Sequence, residues 1–242
     1  MYRVRITLPK RKSVDYRNLD ILHDALVNAW VAAGAPAKTV VGPNAGMWHF
    51  AALGWRQNGG NRVHTLVVGT PDLQLGVWLS DMNPSDIRYA RAATGEAVDF
   101  SAADVEMDPD PVAPGLTSLG VVMLSPLVVS RKESGKRRWA SSIDEVDLTS
   151  AVSTRLSRMA ERSVRIKAAP DRLYVRCNPK HDTLIPLKQF PDGRKSFVIG
   201  MRVPLVLQGP EEDLRLAWYG GIGEKNRFGF GCIGLAEKGV GR

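Results

Sequence analysis

His23 is the side chain best suited to moving a proton. On a helical projection it lies between Leu19 and Val27, at the border of an apolar stripe. A half-buried histidine at a cleft titrates near neutral pH and can serve as general acid or base. A boundary histidine also serves purely structural roles, and periodicity alone leaves both readings open. His49, His64 and His181 fall in or beside predicted strands and share no ligand spacing. No HxH, HExxH or carboxylate cluster is present, so no metal and no cofactor are expected.

Cations supply the second chemistry. At ~100° per residue, Arg155, Arg158, Arg162 and Arg165 fall within roughly 80° of one helix face. Leu148, Val152, Leu156 and Met159 form an apolar stripe beside them. Like charges in a row repel, and a row of phosphates would offset that cost; a solvated basic face is the plainer reading. Upstream, Arg131, Lys132, Lys136, Arg137 and Arg138 lie in a segment closed by Trp139, five positive charges against the single negative Glu133. Gly135 suggests a mobile loop or finger that grips an RNA groove through phosphates and shape. Trp139 could stack on a base or anchor the loop.

The segment Gly220–Gly231 carries Gly221, Gly223, Gly229 and Gly231 together with Lys225 and Arg227. Such a loop can lie against a phosphate backbone, or form a tight turn around a packed strand. A dinucleotide fingerprint does not fit, because eleven residues after Gly231 cannot complete a βαβ unit. A Walker loop lacks its Gly-Lys-Ser/Thr.

The elements that must position these groups read as two rounds of one pattern. Residues 2–8 alternate like a strand, and Asn18 to Ala33 reads as a helix stopped by Gly34 and Pro36. Met47 to Trp55 and Val63 to Val68 read as strands around a Gln57–Gly60 turn, followed by a short helix from Pro84 to Thr94. Residues 99–114 hold Asp99, Asp104, Glu106, Asp108 and Asp110 among prolines. They read as an edge strand entering a linker, away from any RNA-binding face. The second round has a strand from Leu119 to Val129 and a helix from a Ser142–Glu145 capping box to about Arg162. Strands at 172–176, 183–187 and 196–207, a helix at 211–218 and a closing strand at 228–235 complete it. The expectation is an α+β chain of two tandem ferredoxin-like βαββαβ domains, 1–114 and 115–242. The second would bind RNA through the basic loop 131–139 and the glycine-rich loop 220–231.

With 242 residues, a net charge of +8 and a pI near 9.7, the chain can bury two small cores or one large one and favours a polyanionic partner. A basic but otherwise ordinary enzyme satisfies the same numbers. No stretch approaches the roughly 20 apolar residues of a membrane span, and no apolar signal core follows the N-terminal basic residues. Cys177 and Cys232 lie far apart, so neither a disulfide framework nor a zinc site is expected. The chain reads as cytoplasmic, with no membrane partner.

Three segments, in order along the chain, resemble the CRISPR repeat-processing endoribonuclease family of the repeat-associated RNA-binding superfamily. They are Ile21-Leu-His-Asp-Ala-Leu26, Leu173-Tyr-Val-Arg-Cys-Asn-Pro-Lys180 and the Gly220–Gly231 loop, with the Ser125-Pro126 strand as a further likeness. The nearest resemblance is to the subunit of type I Cascade complexes, with a type IV relative equally fitting. Relatives often carry a tyrosine one helical turn before the histidine; Asp20 stands there, with Tyr16 further upstream. The resemblance implies a pair of ferredoxin-like domains, a catalytic role for His23, and cleavage by ribose 2′-hydroxyl attack without a metal. It also implies repeat stem-loop RNA as substrate and other effector-complex subunits as partners. A nearby cation would stabilise the developing phosphorane charge, for which Lys38 and Arg227 are the candidates. The same surfaces would equally serve a non-catalytic RNA-binding subunit.

Overall fold

In the first strand, β1 (Tyr2–Thr7), Val4 and Ile6 point into a core, and the segment pairs on both edges. The computed structural model describes residues 1–57, 60–89 and 95–238. After β1 come β2 (Val14–Tyr16), α1 (Asp20–Ala32), α2 (Ala37–Val40), β3 (His49–Gln57) and β4 (Gly60–Thr70). Then follow α3 (Leu73–Ser80), β5 (Arg88–Tyr89), β6 (Val98–Asp99) and β7 (Asp104–Met107). The main sheet is antiparallel: β4 pairs with β3 along one edge and with β1 along the other, and β7 closes the outer edge of β1. With α1 between β1 and β3, and α3 between β4 and β7, this is a βαββαβ ferredoxin-like unit. Ile21, Leu22, Ala25, Leu26, Ala29 and Trp30 are the buried stripe of α1.

The second round comprises β8 (Ser118–Met123), β9 (Ser130–Glu133), β10 (Lys136–Trp139), α4 (Leu148–Ala160), β11 (Lys167–Pro170) and α5 (Arg172–Cys177). It continues with β12 (Asp182–Gln189), β13 (Lys195–Met201), β14 (Leu205–Gln208), α6 (Glu211–Gly220) and β15 (Ile233–Leu235). The sheet order β11-β14-β8-β15 reproduces the first unit's connectivity, with α4 and α6 as its crossovers. In β8, Leu119, Val121 and Met123 face inward, as do Leu205 and Leu207 of β14. Two antiparallel ribbons, β9–β10 and β12–β13, are additions to this frame.

The chain divides into two compact units. One comprises Met1–Asp108, Pro186–Phe197 and Arg227–Gly229; the other comprises Pro109–Ile185, Val198–Asn226 and Phe230–Arg242. The units thus change over at Asp108/Pro109, where the sequence reading drew its line after residue 114, and two short later segments cluster with the first unit.

Several elements differ from the sequence reading. The first unit's second helix is α3, capped by Asp72 accepting from the Leu75 N–H, whereas Pro84–Asp86 forms only a 3-10 turn before β5. Residues 58–59, in the expected hairpin turn, and 90–94, in the expected helix, lie outside the described residues. Residues 172–176 are helical because the Asp171 carboxylate caps the N–H groups of Leu173 and Tyr174; the strand is β11, just before. The expected strand 196–207 breaks ahead of Pro204, and its halves join different sheets. Likewise, only Ser118–Met123 of 119–129 and only Ile233–Leu235 of 228–235 are ladder strands. Ser142 opens a 3-10 turn at Ile143–Glu145, and α4 starts afresh with Asp147 accepting from the Ser150 N–H. That helix ends at Ala160, with Glu161 in the left-handed region at φ 54°, so Arg162 and Arg165 lie beyond it.

Arg3 is fully buried on β1, and its Nε lies 2.8 Å from Asp108 Oδ2, a close ion contact without linear hydrogen-bond geometry. Arg5 Nε donates to the other oxygen at 3.0 Å. Asp108→Ala should therefore cost up to about 3–5 kcal/mol in urea unfolding, the range for removing one partner of a buried ion pair. A loss below about 1 kcal/mol would show that Arg3 does not depend on this carboxylate.

Candidate active site and nucleic-acid interface

In the first unit, His23 sits on the first turn of α1 with 8% of its surface exposed. Its imidazole stacks on Phe228 at 4.6 Å between centroids, with the planes 11° apart, and on Trp48 at 5.8 Å and 19°. Trp48 is itself fixed: its indole N–H donates to the Val40 carbonyl at 2.9 Å, and Phe50 and Trp30 pack around it. Nδ1 of His23 lies 2.8 Å from Asp24 Oδ1, while Nε2 has no protein partner among the described residues. A carboxylate at Nδ1 favours the proton there and leaves the Nε2 lone pair directed away from it. The ring is thus held in plane, rotation and tautomer, with one nitrogen available.

The other two residues expected to act with His23 belong to the same unit. Arg227 precedes the stacking Phe228 and donates to the Gly42 carbonyl at 3.0 Å; burial lowers its pKa from the ordinary arginine value. Lys38 is exposed on the short helix α2, whose Val40 carbonyl receives the Trp48 N–H. Among the described residues Lys38 makes no hydrogen bond or ion pair, so its head is unengaged. At the start of α1, burial raises the Asp20 carboxyl above its ordinary pKa, and the Asp24 charge adds to this; Lys188 pulls the other way.

The glycine-rich segment spends its conformational freedom on the protein itself. Gly221, Gly223, Gly229 and Gly231 are all buried with φ between 69° and 85°, and Lys225 also has positive φ at 59°. A Cβ on Gly231 would stand 1.8 Å from the Ile222 carbonyl oxygen, and one on Gly229 would stand 2.9 Å from the Phe50 ring. The Asn226 amide donates to the carbonyls of Ile222 and Phe230, closing the turn. Of the two readings of this loop, the tight turn around packed backbone is the one this geometry displays. Lys225, Arg227 and Phe228 are partly exposed, as is Glu224.

In the second unit, the expected finger at 131–139 is a regular ribbon, β9–β10, turned by Ser134 and Gly135 at φ 49° and 76°. Its cations divide into two groups. Arg131 pairs with Glu133 and Glu145, Arg138 with Glu133, and Arg137 with Glu224. Lys132 and Lys136 are exposed, with no such partner among the described residues. Glu224 also accepts from the N–H and hydroxyl of Ser130, at 2.8 and 2.6 Å, seating the ribbon's base. Arg137 and Lys225 both lie over the Trp139 ring, at 5.6 and 5.7 Å.

The four-arginine stripe is dispersed. Arg158 faces solvent on α4, and Arg155 reaches the Gly221 carbonyl at 3.4 Å. Arg162 binds the buried carboxylate of Asp213 at 2.5 Å, and the backbone N–H of Arg165 donates to the same group at 2.8 Å. Sequence reasoning missed Asp24, Trp48 and Phe228 as the environment of His23. Adjacency in a helix gives no reason to pair Asp24 with His23, and the two aromatics are brought in by tertiary packing alone. Among the described residues no group of three or more His, Cys, Asp or Glu side chains could hold a metal ion, and no helix is long and apolar enough to cross a membrane.

Residues 109–235, just over half of the chain, match the model of the family described as CRISPR associated protein Cas6, C-terminal. A search of curated proteins finds no match. Among solved structures, the chain resembles a Cas6-related protein from Pyrococcus furiosus at 14% identity, covering 98% of this chain and 99% of that one, with a TM-score of 0.68. It is similar at 16% identity to a RAMP protein described as binding different RNA substrates, covering 97% and 99% with a TM-score of 0.66. A third structure, described as CRISPR associated protein Cas6, is 13% identical over 97% and 99% of the two chains, with a TM-score of 0.65. These likenesses bear out the tandem ferredoxin-like fold. The chain belongs to the Cas6 family of CRISPR-associated proteins.

Proposed function

We propose that this protein is a metal-independent endoribonuclease that binds the stem-loop of CRISPR repeat RNA and cuts precursor transcripts into guide RNAs. Membership of the Cas6 family and the likeness to a protein described as binding different RNA substrates support an activity on RNA. The observation that carries the chemistry is the His23 imidazole, clamped by aromatic stacking and fixed by Asp24 at Nδ1.

With Nδ1 protonated toward Asp24, Nε2 accepts the proton of a ribose 2′-hydroxyl as that oxygen attacks the adjacent phosphorus. The P–O5′ bond breaks, and the proton taken up by His23 passes to the departing oxygen, leaving a 5′-hydroxyl end and a 2′,3′-cyclic phosphate. Holding the nucleotide splayed, with attacking and leaving oxygens in line, supplies much of the rate. Arg227 or Lys38 offsets the phosphorane charge. Lys132, Lys136, Arg158 and the exchangeable surface pairs of Arg131, Arg137 and Arg138 hold stem phosphates. Surface ion pairs are worth at most about 1 kcal/mol, so phosphates can displace their carboxylates. The mature RNA stays bound, making the protein a subunit of a larger effector complex in the cytoplasm.

Three measurements test this reading. His23→Ala should slow cleavage of end-labelled repeat RNA by about 10²- to 10⁴-fold with nearly unchanged affinity; equal loss of binding and cleavage would assign the histidine to folding. A single 2′-deoxy substitution at the cut nucleotide should block the reaction while EDTA does not; the reverse pattern overturns the mechanism, and a shifted band without shortening marks a pure RNA-binding subunit. Lys132→Ala with Lys136→Ala should weaken binding and flatten its salt dependence by roughly 1–2 in slope, as expected for two lost phosphate contacts. These lysines are a cleaner test than Arg162, whose loss would strand Asp213.

A further inference from the structure

The turn end of the β12–β13 ribbon, which clusters with the first unit, exposes aromatic surface among cations. The Phe190 N–H donates to the Arg194 carbonyl at 2.8 Å and Gly193 N–H to the Phe190 carbonyl at 2.9 Å, so Phe190 and Arg194 face each other across the turn. Strand alternation places Lys188 on the same face as Phe190. The Lys188 ammonium lies 5.8 Å from the Phe190 ring centre and the Arg194 guanidinium 5.5 Å. Asp192 steadies Arg194 through its Nε at 2.6 Å and its backbone N–H at 3.0 Å. Phe190 remains 38% exposed, and Lys195 adds a further exposed cation.

We infer that this turn is a stacking platform for an unpaired nucleotide of single-stranded RNA, a contact separate from those made to the stem. An exposed phenylalanine ring offers a flat apolar face to a base, and Lys188, Arg194 and Lys195 meet the phosphates on either side. A paired stem presents phosphates and 2′-hydroxyls but no open base face, so the ring selects unpaired nucleotides. The ribbon is anchored beside the candidate centre: the Leu19 N–H, at the start of α1, donates to the Pro186 carbonyl at 3.4 Å, and Lys188 acts electrostatically on Asp20. His23 follows Leu19 by one helical turn. The platform thus holds the strand next to the helix that carries the proposed base, and in this the inference rests on the function proposed above.

The test measures affinity of the full-length protein for two labelled RNAs, an unstructured oligoadenylate and a blunt stem-loop without flanks. Phe190→Ala should weaken oligoadenylate binding roughly 5- to 150-fold, the equivalent of one lost base–aromatic stack, while stem-loop affinity stays unchanged. Phe190→Trp should retain binding, and 2-aminopurine in the oligoadenylate should be quenched by the parent protein but not by Phe190→Ala. Unchanged oligoadenylate affinity in Phe190→Ala, as expected if the ring serves a protein partner, overturns the inference, and so does equal weakening for both RNAs. A parent protein that binds the stem-loop but ignores oligoadenylate sinks the platform alone. One that binds neither sinks the proposed function with it.

Discussion

The face-to-face contact of Phe228 with His23 is the interaction on which the candidate centre depends. An imidazole on a helix edge turns freely about two side-chain bonds. Here Phe228 and Trp48 restrict the ring plane and Asp24 its rotation. Phe228 can reach the ring only because Gly229, next in the chain, approaches the Phe50 ring more closely than any side chain allows. The glycines are therefore needed to hold the ring of His23 in this position. They bring an aromatic residue to a histidine about two hundred positions earlier in the chain.

The cations follow a different logic. Few stand alone: most of the arginines expected to bind RNA hold a carboxylate or a carbonyl in the free protein. These contacts differ in kind. Arg162 on Asp213 is structural, because the carboxylate is almost wholly buried and also accepts from the Arg165 backbone. Arg138 on Glu133 and Arg131 on Glu145 are half-exposed, and such pairs contribute little to stability. They suit a surface that must be soluble without a polyanion yet exchange its partners when one arrives. Net positive charge would draw such a partner in, while the backbone ladder of β9–β10 sets the ribbon's register.

The architecture was legible in the sequence to the extent that hydrophobic periodicity carried it. Strand alternation at Val4 and Ile6, and at Leu119, Val121 and Met123, gave two sheets, and the apolar stripes of α1 and α4 gave two crossovers. The reading failed where capping outweighed pattern. Leu173 and Val175 alternate like a strand, but Asp171 caps them into a helix. Leu73 and Val77 leave α3 without a clean polar face, so Asp72 was its only strong signal. No glycine marks the end of α4; Glu161 takes the left-handed position instead, so the expected helix ran two residues too far and the projected arginine stripe five. His23 was legible as a boundary residue. Asp24 was not paired with it because adjacent helical residues do not ordinarily face one another, and here a short carboxylate folds back to the neighbouring ring.

The carboxylates at the start of α1 add an electrostatic constraint to this geometry. Asp20 has its pKa raised by burial, with the charge of Asp24 adding to it. A carboxyl titrating higher in the folded than in the unfolded chain weakens the fold at neutral pH, and the penalty fades as pH falls through the raised value. The positive end of the helix dipole and Lys188 return part of that cost. Asp20 thus stands where the helix dipole favours an anion while burial works against its charged form. Asp24 contacts Nδ1 of His23 and also adds its charge to the surroundings of Asp20, so one carboxylate couples the imidazole to the start of the helix.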